Sequence, residues 1–225
     1  MKQYGSRIMA TVNKKGVLDV DTVKGCELGM KAHPGGGCYG ECYACKTAKT
    51  YGMDFTKSIS RKLSKKGNSY LLNKVYQHDA GWYRIGTSGD PSHDWDNTIG
   101  VCQLLSYTHK TPVIITKHWI ELEPYQIEAF ADLGAVFNTS VSALDTDEEL
   151  PYRMEQFERL SEFGVENVLR VVTCDFADTL QGRIMANIQE QLLSNGNAID
   201  NPLRVSKSNP MLLAGDIIAV KKKRR

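Results

Sequence analysis

A chain of 225 residues is long enough to bury a sizeable core in one domain, whereas two domains would each be small. With 41% hydrophobic and 24% charged residues and a net charge of +2, it is composed like a folded globular protein, which excludes a disordered chain and a molecule that is basic throughout. No run of about 18 apolar residues occurs, so no membrane-spanning helix and no membrane partner is expected.

Short apolar runs alternate with helical patterns along the chain. Residues Met1–Lys15 form an N-terminal extension without the apolar stretch of a secretory leader, so the cytoplasm is the expected compartment. Gly16–Lys24 (GVLDVDTVK) has strand character and runs into Gly25-Cys26 and a cysteine-rich loop. A helix is expected over Tyr43–Tyr51, ended by Gly52. Thr56–Lys66 is basic and polar, an exposed helix or loop. Tyr70–His78 carries helical spacing, with Leu71, Leu72, Val75 and Tyr76 on one side. Trp82–Thr87 (WYRIGT) is the second strand, broken by Ser88-Gly89-Asp90-Pro91. A helix follows over Trp95–Tyr107, with Ile99, Cys102 and Leu105 in phase.

The β-branched run Pro112–Lys117 (PVIITK) is the third strand. Pro124 opens a helix that runs to Leu133, and Gly134 stops it. Ala135–Ser142 (AVFNTSVS) is the fourth strand, with Val136, Asn138, Ser140 and Ser142 on one face and Phe137, Thr139 and Val141 on the other. Its apolar face should meet the helices and its polar face the interior. Met154, Phe157, Leu160 and Phe163 mark a helix closed by Gly164, and Asn167–Thr173 (NVLRVVT) is the fifth strand. Gly182–Leu193 reads as helical, Pro202–Ser206 (PLRVS) as a sixth strand, and Met211–Val220 as a closing apolar segment before the basic tail Lys221–Arg225.

This alternation implies parallel strands joined by right-handed crossovers, in a single α/β domain over residues 1–225. About six units are too few for an eightfold barrel and suit a partial (β/α)6 TIM-type barrel. A doubly wound open sheet would show the same alternation.

Four of the six cysteines (Cys26, Cys38, Cys42 and Cys45) crowd into one loop region, a pattern that favours metal binding over disulfides in a reducing compartment. Cys102 and Cys174 stand alone and read as buried small hydrophobes. Cys38-Tyr-Gly-Glu-Cys42-Tyr-Ala-Cys45 follows Pro34-Gly35-Gly36-Gly37, whose glycines let the backbone wrap closely around a metal centre. Thiolates select zinc, copper(I) or iron–sulfur clusters. Three close ligands leave one metal position open, whereas a structural zinc site is closed by four. With Cys26 as the fourth, the loop would make a zinc-stabilised nucleic-acid or protein binding module, although only Cys42 and Cys45 form a C-x2-C pair.

The C-x3-C-x2-C spacing, with Tyr43 between the last two cysteines, resembles the cluster motif of the radical S-adenosylmethionine superfamily. That resemblance implies a [4Fe–4S] cluster whose irons are held by Cys38, Cys42 and Cys45, with S-adenosylmethionine chelating the remaining iron. It further implies an external one-electron reductant, cleavage of the sulfonium to a 5′-deoxyadenosyl radical, and hydrogen abstraction from a substrate. Ser88-Gly89-Asp90 is similar to the family's Gly-Gly-Glu segment, which meets the methionyl amino group; the carboxylate here is one methylene shorter, so the backbone is the better candidate. By the same resemblance Asn138, Ser140 and Ser142 would contact the ribose or the methionyl carboxylate. Arg170, central in a buried strand, needs an anion, either that carboxylate or an acid such as Asp90. Lys117 and His118 at a strand end read as solvated side chains or substrate contacts. Cys26 reads as a packed thiol or a substrate-side residue. The substrate is unidentified; the basic stretch Lys57–Lys66 and the basic tail lean it toward nucleic acid or a nucleoside, with peptides open.

Overall fold

The computed structural model describes residues 7–33, 36–203, 205–215 and 217–218. The order of elements is β1 (Ala10–Val12), β2 (Leu18–Val20), β3 (Val23–Lys24), α1 (Glu27–Lys31), α2 (Tyr43–Thr50), β4 (Ile59–Ser60), α3 (Lys65–Tyr76), β5 (Trp82–Ile85), α4 (Trp95–Leu105), β6 (Thr111–Thr116), α5 (Pro124–Asp132), β7 (Val136–Val141), α6 (Glu149–Glu162), β8 (Glu166–Thr173), β9 (Asp175–Phe176), α7 (Leu180–Leu193), β10 (Ala198–Pro202), α8 (Pro210–Ala214) and β11 (Ile217–Ile218). The central sheet has seven strands in the order β1-β2-β5-β6-β7-β8-β10. From β2 onward every neighbouring pair is parallel. Only β1 runs antiparallel, in a hairpin with β2. The parallel strands thus follow one another in chain order, with no reversal among the described residues.

Burial alternates along these strands. Tyr83, Ile85, Ile114, Phe137, Leu169 and Val171 are buried, while their neighbours Arg84, Val113, Ile115, Val136, Asn138, Val168 and Arg170 are half-buried. The buried face carries the core. Leu71 and Val75 of α3, Trp95 and Cys102 of α4, Ile127 and Phe130 of α5 and Leu160 of α6 close over β5 to β7. Phe157 of α6 and Leu192 of α7 close over Val141, Leu169 and Val171. Helices α3 to α7 therefore cover the same side of the sheet. Phe130 meets Phe137 edge to face at 5.1 Å, with Trp95 5.8 Å from Phe130.

Several elements differ from their expected bounds for identifiable reasons. Gly16–Lys24 splits because Val23–Lys24 leaves the main sheet to pair antiparallel with β4, inside a stretch expected to be helix or loop. Helix α3 starts earlier, where the Ser64 hydroxyl accepts the Gly67 N–H. The last parallel strand lies over Ala198–Pro202 rather than 202–206, since a short turn after α7 brings it at once against β8. Arg204 lies outside the described residues. The closing segment divides into α8 and β11, and β11 pairs with β9. Residues 1–6, Pro34, Gly35, Asp216 and the basic tail with Ala219 and Val220 also lie outside the described residues. Among the described residues no helix is long and apolar enough to cross a membrane.

Candidate functional site

The C-terminal ends of the parallel strands carry a set of loops, the usual ligand-binding end of such a sheet. The cysteine loop follows β3 and α1. Cys42 caps α2, its Sγ accepting the Cys45 N–H at 3.4 Å. A Cβ at Gly37 would come within 2.5 Å of the Cys42 Cβ, so this position demands glycine beside the second thiol. All six cysteines are free thiols. Burial pushes the Cys38 thiol up to about 11, against the pull of Lys117, and Cys42 adds to the rise. Burial raises Cys42 as well, with Cys45 contributing. Burial raises Cys26 strongly, with Asp90, Cys38 and Cys42 adding to it. Cys38 and Cys42 thus lie near enough to act on Cys26, and Cys45 near enough to act on Cys42.

Three aspartates organise the mouth, each holding a loop other than its own. Asp21, between β2 and β3, accepts the N–H groups of Gly86, Thr87 and Ser88 and the Ser88 hydroxyl, at 2.6–3.1 Å. Gly25 N–H donates to the Ser88 carbonyl at 2.9 Å, and a Cβ on Gly89 would lie 2.6 Å from the Gly25 carbonyl oxygen. Asp90 accepts from Ser92 N–H, the Thr116 hydroxyl and Lys117 N–H, which leaves its carboxylate spent inside the protein. Asp145 accepts the Tyr39 hydroxyl at 2.7 Å and Ser142 N–H at 2.9 Å, and pairs with Arg153 at 2.6 Å and Lys117 at 3.3 Å. Burial alone would raise the Asp145 carboxyl, but Lys117 and Arg153 outweigh it and hold it below the ordinary value.

Beside this cluster opens a cleft of about 360 Å³ lined by Lys117, His118, Trp119, Glu148, Glu149, Tyr152 and Arg153. One of its wall residues, Trp119, carries the Arg153 guanidinium 4.7 Å from the ring centre and packs against the apolar group that includes Cys26 and Cys45. The ring therefore stands between cleft and thiols.

Lys117 and His118 are not solvated: their exposures are 8% and 0%. Lys117 is drawn in by Asp145 and Tyr39. His118 stacks on Phe137, with its Nε2 3.0 Å from the Thr139 hydroxyl. That hydroxyl donates to Asn167 Oδ1, so it accepts from His118, which leaves Nδ1 bare. Arg170 pairs with neither Asp90 nor another carboxylate among the described residues; its partner is Asn201 Oδ1 at 2.9 Å, and burial and the nearby Arg84 lower its pKa. Ser142 is used internally, donating to the Val172 carbonyl and accepting Leu144 N–H. Ser140 and Asn138 lie on the half-covered side of β7, whereas Tyr43 is 74% exposed and apart from the other candidates. Cys26 is buried with its Sγ 3.6 Å from His93 Nε2. Cys102 and Cys174 are buried as expected.

Sequence reading missed Tyr39, Asp21, Thr87, Asp145 and Arg153. Arg153 had a signal, since it shares a helical face with Gln156, Phe157 and Leu160, all buried. Asp21 and Asp145 had none, because their partners lie on other loops.

No model of a known protein family matches the chain, and no curated protein matches it significantly.

Cys38 lies in the tight turn, Cys42 caps α2 and Cys45 lies in its first turn, a set of soft donors of the kind that thiolate-bound metals take. Thr87 Oγ1 adds an orphaned, buried acceptor in the loop facing the cysteines. Among the described residues no three Cys, His, Asp or Glu side chains surround a common metal position as they stand.

Proposed function

We propose that the chain is a radical S-adenosylmethionine enzyme built on a partial (β/α)6 barrel. The observation that carries this reading is the placement of Cys38, Cys42 and Cys45 along a glycine-shaped turn and the start of α2, at the C-terminal end of a sequentially ordered parallel sheet. Chain-order strands with helices on one side favour the partial barrel over a doubly wound sheet, which reverses its strand order and is covered on both faces.

In this reading the three cysteines hold the cluster and S-adenosylmethionine completes its coordination. When bound, the cluster supplies one electron for reductive cleavage of the sulfonium. The protein binds and orients. The loop after β5, preset by Asp21, offers the Thr87 hydroxyl to the methionyl ammonium; Asp90 cannot serve, being engaged by Thr116, Lys117 and Ser92. Ser140, Asn138 and Arg170 line the less covered sheet face for the ribose and carboxylate. The cleft beside Trp119, separated from the thiols by that ring, is of a size to admit a small substrate.

Anaerobic reconstitution tests this. The protein should become brown, carry about four irons per chain, and release 5′-deoxyadenosine with a reductant. The nearness of Cys26 to Cys38 and Cys42 favours one second reading, a four-thiolate zinc module; a colourless protein with a single zinc would establish it instead.

A further inference from the structure

Tyr39 sits at the centre of the cysteine turn in the left-handed region, at φ 61° and ψ 38°, a conformation unfavourable for a bulky side chain. It is nevertheless only 2% exposed, so something must hold it there. Its hydroxyl donates to Asp145 and accepts from Lys117 Nζ, which also lies 4.3 Å from the ring centre. Its carbonyl accepts from Asn209 Nδ2 at 3.0 Å. The ion cluster behind it is braced in turn: Arg153 Nε donates to the Lys117 carbonyl at 3.0 Å, and Arg153 also pairs with Glu149 at 3.2 Å. Two cations face two carboxylates, so the group is electrically matched without any ligand. The cluster reaches the cysteine turn itself through the tyrosine, while Arg153 also lies over Trp119 on the side of Cys26 and Cys45.

We propose that Lys117, Asp145 and Arg153 are positioning residues for the cysteine turn. By gripping the Tyr39 hydroxyl they keep that residue left-handed and so set the placement of the flanking thiols Cys38 and Cys42. The inference rests on the cluster-binding reading for its purpose, but its geometry is independent of any bound group.

The test uses Tyr39→Phe in the metal-free protein, with alkylation of each cysteine by iodoacetamide followed by mass spectrometry. Loss of the grip should speed alkylation of Cys38 and Cys42 about tenfold, as expected for losing one hydrogen bond to a charged group. Cys102, buried under α4, should keep its rate and serves as the internal control. Lys117→Met, which leaves Asp145 paired with Arg153, should give the same gain at Cys42, the thiol whose acidity Lys117 does not set, and covers the case in which Tyr39→Phe lowers global stability. Unchanged rates at Cys38 and Cys42 in both variants, or equal acceleration at Cys102, would overturn the proposal. On reconstituted protein, Tyr39→Phe should also shift the cluster's midpoint potential and its paramagnetic resonance signal. A wild-type protein that takes up no iron sinks the enzymatic reading, while the alkylation rates still decide the positioning role.

Discussion

The helix-covered side of the sheet and the mouth formed by its strand ends are stabilised by different physics. Phe130, Phe137, Trp95 and Ile114 are held by area and shape, and such packing tolerates exchange among residues of similar volume. The mouth is held by Asp21, Asp90 and Asp145, each directing fixed lone pairs at particular N–H, hydroxyl or guanidinium groups on another loop. One region resists loss of volume, the other loss of a single charge. The second kind of support is found where sequence-distant loops meet around the cysteine turn.

The widest separation between the regions should appear with Cys42→Ala. Reconstituted Cys42→Ala should carry no intact cluster and release no 5′-deoxyadenosine, with an unchanged far-UV spectrum; retained cleavage would end the enzymatic reading. Phe137→Ala probes the opposite region. It should cost about 3–5 kcal/mol in urea denaturation, while iron bound per folded molecule stays the same.

A pH series joins the two. Burial holds His118 neutral, lowering its pKa from 6.5 to about 4, with Asp90 opposing and Arg153 assisting. The unfolded chain takes up this proton near 6.5 and the folded protein only near 4. Stability is therefore full above the upper value and falls as pH drops through that window. His118→Gln should flatten the slope relative to wild type, whose partly buried His33 and His93 act in the same direction. An unchanged slope would show that another group carries it.

Asp21→Asn should cost about 1.5–3 kcal/mol, the value of hydrogen bonds to a charged acceptor, and should loosen hydrogen exchange at Gly86–Ser88 before it affects the helices. Thr87→Val is the mildest change. Stability should hold, because the hydroxyl has no partner among the described residues, while the Michaelis constant for S-adenosylmethionine rises about tenfold.

The β-branched runs and glycine stops were legible as strands and helix ends because these signals are local. So was the cysteine triplet. Lys117 was read as solvated or in contact with substrate because a lysine at a strand end is normally solvated; Tyr39 and Asp145, from two other loops, draw it inward. Arg170 was read as needing an anion, a ligand's carboxylate or an acid such as Asp90; within the protein its partner is instead Asn201 from β10, which begins earlier than the sequence pattern suggested. What sequence reading lacked in each case was a contact between loops that only the assembled sheet brings together.

The abutment of Gly25 against Gly89 has a practical meaning for anyone remodelling this scaffold. Their main chains are linked as a parallel bridge with no room between them for a side chain, so the two rims are effectively one seam. A graft or insertion confined to either rim would tear that seam, and new specificity would have to be built by altering both halves in tandem or by leaving them alone and working from the β6 and β7 side.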